Sequence, residues 1–334
     1  MEIIKNTIDY KNLNIQRYFG NENICFLDIE TTGLSRESSI VYLVGILYFE
    51  DGTPTIKQLF CNNIEHESLL LAELKRLLKP YEYIITFNGD NFDIPFLNYR
   101  YNKNSFDYNI SKSKSIDIYK IIKSNKNFLN LKNLKLKSLE EYIGIFREDS
   151  FNGKECIELY YRYIKEQNEN MKCAILKHNY DDVYYLPFIL KIFDIIKAKK
   201  VVNINHPFFK NCNEIEINIE QISIANDVLD ISCKTTSLNK SSIVYFKDNY
   251  NLNWNFSKGK LEMNLLIRNG MLSDNKKCNY LIKTEYPIGN KSFKNLGYNI
   301  SNDIVIIKIE NQFINGNIKN VIKNIIISIL NELA

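Results

Sequence analysis

The sequence predicts a mixed α/β domain, a sheet flanked by helices, followed by a smaller β-rich α+β domain. Three observations carry this. Apolar runs at 24–31 and 40–50 read as buried strands, an amphipathic helical pattern follows at 68–79, and past His206-Pro207 the chain becomes short alternating runs divided by turn residues.

Taken in order, ICFLDIET at 24–31 is an apolar strand ending in acids. The run at 40–50 is a second strand, an Asp51-Gly52 turn follows, and a third strand spans about 55–62, so the three form an antiparallel meander. Leucines 69, 70, 71, 74, 77 and 78 mark a helix that stops at Pro80. A strand at 83–87, a helix at 92–101 and a short strand at 115–119 come next, then helices at 138–143 and 154–167. A long helical stretch at 171–198 bends at Pro187, because proline lacks the N–H a helix interior needs. Beyond it, strands are expected at 214–219, 228–234, 242–246, 260–267, 280–285 and 303–310, with a helix at 318–333. The boundary falls between residues 1–204 and 205–334.

Composition narrows the classes of function. The 334 residues are 45% hydrophobic and 25% charged, which excludes disorder and collagen-like fibre. A net charge of +4 is too small to indicate a nucleic-acid partner by itself. Three histidines, and cysteines at 25, 61, 156, 173, 212, 233 and 278 without a C-x-x-C pair, argue against zinc ribbons and fit reduced thiols. The N-terminus has no apolar run suited to a signal peptide, and 325–330 is far short of a membrane span, so a soluble cytoplasmic protein is expected. The total charge conceals local structure: 28 bases face 27 acids in 1–204, and 15 face 12 beyond.

Three blocks carry chemistry. Asp28 and Glu30 stand two apart on a strand, so they share one face at the end of an apolar run. Two such acids either reach solvent or a turn, or share a cation, for which Mg²⁺ with its preference for carboxylate oxygen is the natural choice. In TFNGDNFDIPF at 86–96 a strand enters an Asn-Gly turn and a helix opens on Asp93, where an acid also favours a helix N-terminus. In HNYDDV at 178–183, His178 and Asp182 lie four apart on one helical face, a spacing that suits a site or a structural hydrogen bond alike.

In order, FLDIETTGL, ITFNGDNFDIPFL and HNYDDVYYLP resemble the three exonuclease motifs of the DEDD superfamily in the ribonuclease H-like fold, and the YprB-like group in particular. The stretch LKLKSLEEYIGIFR at 134–147 is similar to that group's segment between motifs two and three. The resemblance covers about residues 20–195 and says nothing of 205–334. It implies a ribonuclease H-like mixed sheet and a divalent-metal-dependent 3′→5′ exonuclease on DNA or RNA, with two Mg²⁺ or Mn²⁺ ions. It implies Asp28, Glu30, Asp93 and Asp182 as the metal acids, Asp28 bridging both ions. The partner implied is a nucleic acid 3′ end; that no membrane is a partner is expected from the lack of a long apolar run.

His178 departs from the superfamily pattern. One branch has Tyr four residues before the last Asp and the other has His five before it; here His occupies the Tyr register. Taking Asp181 as the ligand brings His178 closer still. A catalytic imidazole and a purely structural one both fit. Asn88 and Phe92 stand where relatives bring a polar group and an aromatic wedge to the terminal nucleotide, though turn chemistry and core packing also suit them. Residues 112–137 hold eight lysines (112, 114, 120, 123, 126, 132, 135 and 137) against Asp117 alone, either a solvated face or a track for phosphates. Alternative functions are a catalytically silent nucleic-acid-binding or scaffold protein and a structure-specific endonuclease; 205–334 is too short and too β-rich for a polymerase.

Overall fold

Ile24–Leu27 is buried throughout, and this apolar run becomes the strand from which the N-terminal sheet is organised. In the computed structural model, which describes residues 1–10, 15–20, 22–50, 52–147, 151–209, 214–289 and 293–333, six strands form this sheet. They are β1 (Glu2–Thr7), β2 (Ile24–Thr31), β3 (Val41–Glu50), β4 (Thr53–Phe60), β5 (Tyr83–Thr86) and β6 (Ser115–Asp117), in the order β1-β4-β3-β2-β5-β6. The first four pair antiparallel, while β5 and β6 add in parallel to β2. Asp51 of the expected turn and Cys212 lie outside the described residues.

Helices α1 (Gln16–Phe19), α2 (Glu67–Leu78), α3 (Asp93–Lys103), α4 (Ile118–Ser124), α5 (Leu136–Tyr142), α6 (Gly153–Glu166), α7 (Glu169–Tyr185) and α8 (Lys191–Lys200) follow in order. Leu70, Leu71 and Leu74 of α2 share a core with Leu27 and Ile29 of β2. The expected long helix is interrupted: α7 ends at Tyr185, a 3-10 turn covers Leu186–Leu190 with Pro187 near its start, and α8 resumes. Strand β1 and helices α1 and α4 add to the expected elements. The extended stretch at 115–119 is a three-residue strand that passes at once into α4, and β1 pairs at the sheet edge with charged and apolar residues mixed.

The chain packs as two compact units, one of Met1–Ser124 with Leu131–Phe193, the other of Asn125–Asn130 with Asp194–Ala334. The second is β-rich. One antiparallel sheet has the order β10-β11-β12-β9-β8-β7, made of β7 (Val201–Ile204), β8 (Ile215–Ala225), β9 (Val228–Thr235), β10 (Ile243–Phe246), β11 (Tyr250–Asn255) and β12 (Lys260–Leu266). A smaller sheet joins β13 (Arg268–Met271), β14 (Lys277–Ile282), β15 (Ile304–Ile309) and β16 (Gln312–Phe313). Helix α9 (Asn315–Leu333) buries Ile318, Val321, Ile322, Ile325, Ile326, Ile329 and Leu330, the 3–4 spacing of one helical face, in a core with Trp254. Strand β11 was not expected, because its alternation of Tyr250, Leu252 and Trp254 is diluted by asparagines. Among the described residues, no helix is long and apolar enough to cross a membrane.

One buried ion pair pins the start of β3. Glu67 Oε1 accepts from the Val41 N–H at 2.9 Å and from Arg100 Nε at 2.8 Å, tying β3, α2 and α3 together. Both side chains are 6% exposed. Arg100→Met leaves the Glu67 charge buried without its guanidinium, and is expected to cost about 3–5 kcal/mol in chemical denaturation. A loss below about 1 kcal/mol, the worth of an exposed pair, contradicts this role.

Candidate active site

Asp28 and Glu30 project from one face of β2, as the two-residue strand period requires. Opposite Asp28 on β3 is Gly45. A Cβ built there would lie 2.5 Å from Asn179 Oδ1 and 2.6 Å from Val183 Cγ2, both on α7, so the absence of a side chain is what lets α7 approach the sheet. At that close approach Asn179, fully buried, donates from Nδ2 to Asp28 Oδ2 at 2.8 Å. Gln58 of β4 orients the amide in turn, donating to Asn179 Oδ1 at 3.0 Å and to the Leu176 carbonyl at 2.8 Å. A relay from β4 through α7 therefore fixes one oxygen of Asp28.

Asp93 arrives by a different route. Strand β5 pairs with β2 only as far as Phe26–Ile85, and beyond that the next chain segment is the turn leading into α3. Asp93, the first residue of α3, takes the place of a strand neighbour by accepting from the Ile29 N–H at 3.2 Å. The turn before it is held by the buried Asp117, which accepts from the N–H groups of Asn88 (2.9 Å), Asp90 (3.3 Å) and Lys120 (3.3 Å). Asn88 adopts φ 64°, a left-handed conformation asparagine tolerates, and its Oδ1 accepts from Asn91 at 2.9 Å. Phe92 is half-buried and packs beside Phe96, with ring centroids 5.5 Å apart.

The third contribution comes from α7. His178 Nε2 lies 3.6 Å from Glu30 Oε1 and 3.7 Å from Asp182 Oδ2. Ligand-capable atoms of Glu30, His178 and Asp182 all fall within 4.8 Å of one another. The other oxygen of Asp182, Oδ1, accepts from Arg147 Nη2 at 2.5 Å. Asp181 is engaged elsewhere, bonded to Lys177 Nζ at 2.7 Å one turn earlier.

Crowding these acids in a poorly solvated place has a measurable consequence. Burial, then the charges of Asp182, Glu30 and Asp93, push Asp28 well above the usual carboxylate range, against the pull of the Asn179 hydrogen bond. Burial followed by Asp182 and Asp93 raises Glu30 to about 8. Burial raises Asp93 to about 7, although its own N–H and that of Ile29 oppose the shift. Mutually repelling carboxylates with an adjoining imidazole are a hard, oxygen-rich donor set, and a divalent cation fits it. Asp28, Glu30, Asp93, Asp182 and His178 thus converge, while Asn88 and Phe92 lie on the turn that delivers Asp93. Gly45, Gln58, Asn179 and Arg147 were not anticipated as site residues. The Asn179 and Arg147 positions lie inside blocks that the sequence already singles out.

A model of the RNase H superfamily matches residues 25–193, half of the chain. Among curated proteins nothing matches. Among solved structures, the family B DNA polymerase from the hyperthermophilic archaeon Pyrobaculum calidifontis is 13% identical with a TM-score of 0.41, over 52% of this chain and 24% of the polymerase. A nuclease in its apo form is 17% identical with a TM-score of 0.33, covering 57% of this chain and 77% of its own. The zinc-bound E. coli ExoI–ssDNA complex is 12% identical with a TM-score of 0.33, covering 63% of this chain and 54% of its own.

The raised acids couple to stability. Their folded forms hold protons at pH values where the unfolded chain has released them, so this contribution is complete below about pH 4. It is lost as pH rises through about 7 for Asp93 and about 8 for Glu30. In EDTA, the melting temperature is expected to fall between about pH 5 and pH 9, and to fall less in Glu30→Gln and Asp93→Asn. A wild-type midpoint that rises over that window would falsify the electrostatic description.

Proposed function

The chain belongs to the RNase H superfamily, and from its acid cluster we propose a divalent-metal-dependent 3′→5′ exonuclease of the DEDD type, similar to the YprB-like group, acting on DNA or RNA. The observation that carries this reading is the convergence of Glu30, Asp182 and His178 within 4.8 Å beside Asp28 and Asp93. Asp28, Glu30, Asp93 and Asp182 would hold two Mg²⁺ or Mn²⁺ ions. Those ions, when bound, supply Lewis-acid stabilisation of the attacking and leaving oxygens of a phosphodiester.

The residues of the chain do the rest. His178 lies within 4 Å of both Glu30 and Asp182, a setting that keeps an imidazole aimed into the cluster to accept a proton from the attacking water. Asn179 holds one oxygen of Asp28, so the carboxylate that would be shared between the ions keeps a fixed orientation. Phe92, half-buried one residue before Asp93, would stack on an unpaired terminal base, with Asn88 beside it as a polar contact. Lys112, Lys123, Lys132, Lys135 and Lys137 are exposed on the same compact unit and suit contacts to the phosphate backbone.

End-labelled single- and double-stranded DNA and RNA, digested with Mg²⁺, Mn²⁺ or EDTA, test the reading. The 5′-labelled strand should shorten as a ladder and the 3′-labelled strand should release mononucleotide at once. Asp28→Ala and Asp182→Asn should abolish degradation with the fold intact, and His178→Ala should lower kcat by roughly a hundredfold or more. Persistent activity in either acid variant refutes the site assignment, and discrete internal cuts point to an endonuclease.

A further inference from the structure

Arg147 is a buried cation at the edge of an acid cluster, and its surroundings hold it there from several sides. Its side chain is 5% exposed, and Nε donates to Glu140 Oε2 at 2.8 Å, a carboxylate with no exposure at all. Nη2 donates to Asp182 Oδ1 at 2.5 Å. The guanidinium carbon stands 5.8 Å from the centroid of Tyr185, three residues after Asp182 on the same face of α7. Local backbone brings this about: α5 carries Glu140, Gly144 turns the chain at φ 85°, and Ile145 N–H closes the turn on the Glu140 carbonyl at 2.9 Å. Arg147 is thereby returned alongside the acid that braces it.

A guanidinium is a rigid planar fork, so fixing Nε fixes the direction of Nη2. With Nε on Glu140, the fork is aimed at one oxygen of Asp182 and leaves the other, Oδ2, toward His178. We propose that Arg147, braced by Glu140, is the positioning residue that presents Asp182 to a divalent cation through a single oxygen. This rests on reading the cluster as a metal centre. Lysine cannot replace it, because an ammonium is a point charge without a fixed fork.

The test is Mn²⁺ titration of the full chain by calorimetry, with melting in EDTA as the check on folding. Arg147→Lys is expected to weaken Mn²⁺ binding about 10- to 100-fold, the usual effect of losing a residue that orients a metal ligand. Glu140→Gln is expected to weaken it by a smaller factor, and Asp181→Asn, whose partner is Lys177, not at all. Excess Mn²⁺ should restore kcat in Arg147→Lys with KM for nucleic acid unchanged. Unchanged or tighter Mn²⁺ binding in folded Arg147→Lys and Glu140→Gln overturns the positioning role and leaves the metal centre standing. Absence of Mn²⁺ binding by the wild-type chain overturns the metal centre itself, and this role with it.

Discussion

Carboxylates placed together away from water repel one another, and the N-terminal unit is arranged around that cost. Asp28, Glu30 and Asp93 are all raised by burial and by neighbouring acids. A fold relieved of this arrangement would be more stable without cations, so the surrounding contacts serve to hold the acids where they are least comfortable. Gly45 admits α7, the Gln58–Asn179 relay aims Asp28, the Ile29 N–H receives Asp93, and Arg147 secures Asp182. Each constraint comes from a different element, which makes the site a property of the whole sheet and its helices.

The histidine register acquires a physical meaning in this setting. A four-residue spacing on α7 stacks His178 over Asp182, and both then meet Glu30 projecting from β2. Asp181, one residue away, is turned to Lys177 and contributes nothing to that group. The helix therefore delivers one acid and one imidazole, with Asn179 reaching the first acid between them.

Much of this was legible in the sequence, and what was not has a common cause. The same-face pair Asp28 and Glu30 follows from the strand period, and His178 with Asp182 follows from the helical one; β2 itself spans the residues expected of it. Asp93 was readable from the turn that opens its helix. Gly45, Gln58 and Arg147 act across long sequence separations, and no local pattern reports that a glycine on one strand faces a helix 130 residues later. Strand β11 hid behind asparagines on its less buried face, and β1 behind an edge position that needs no strong apolar alternation. Pro187 was readable as a bend, yet the 3-10 turn it introduces divides the helix outright.

If the acid cluster is a divalent-cation site, cation binding must expel the protons that the raised carboxylates hold near neutral pH. Calorimetric titration of the wild-type chain with Mg²⁺ or Mn²⁺, at about pH 7 in buffers of differing ionisation enthalpy, measures this directly. Release of at least one proton per chain, diminishing in Glu30→Gln, is the predicted result. Binding heats independent of the buffer, with no proton released, contradict it.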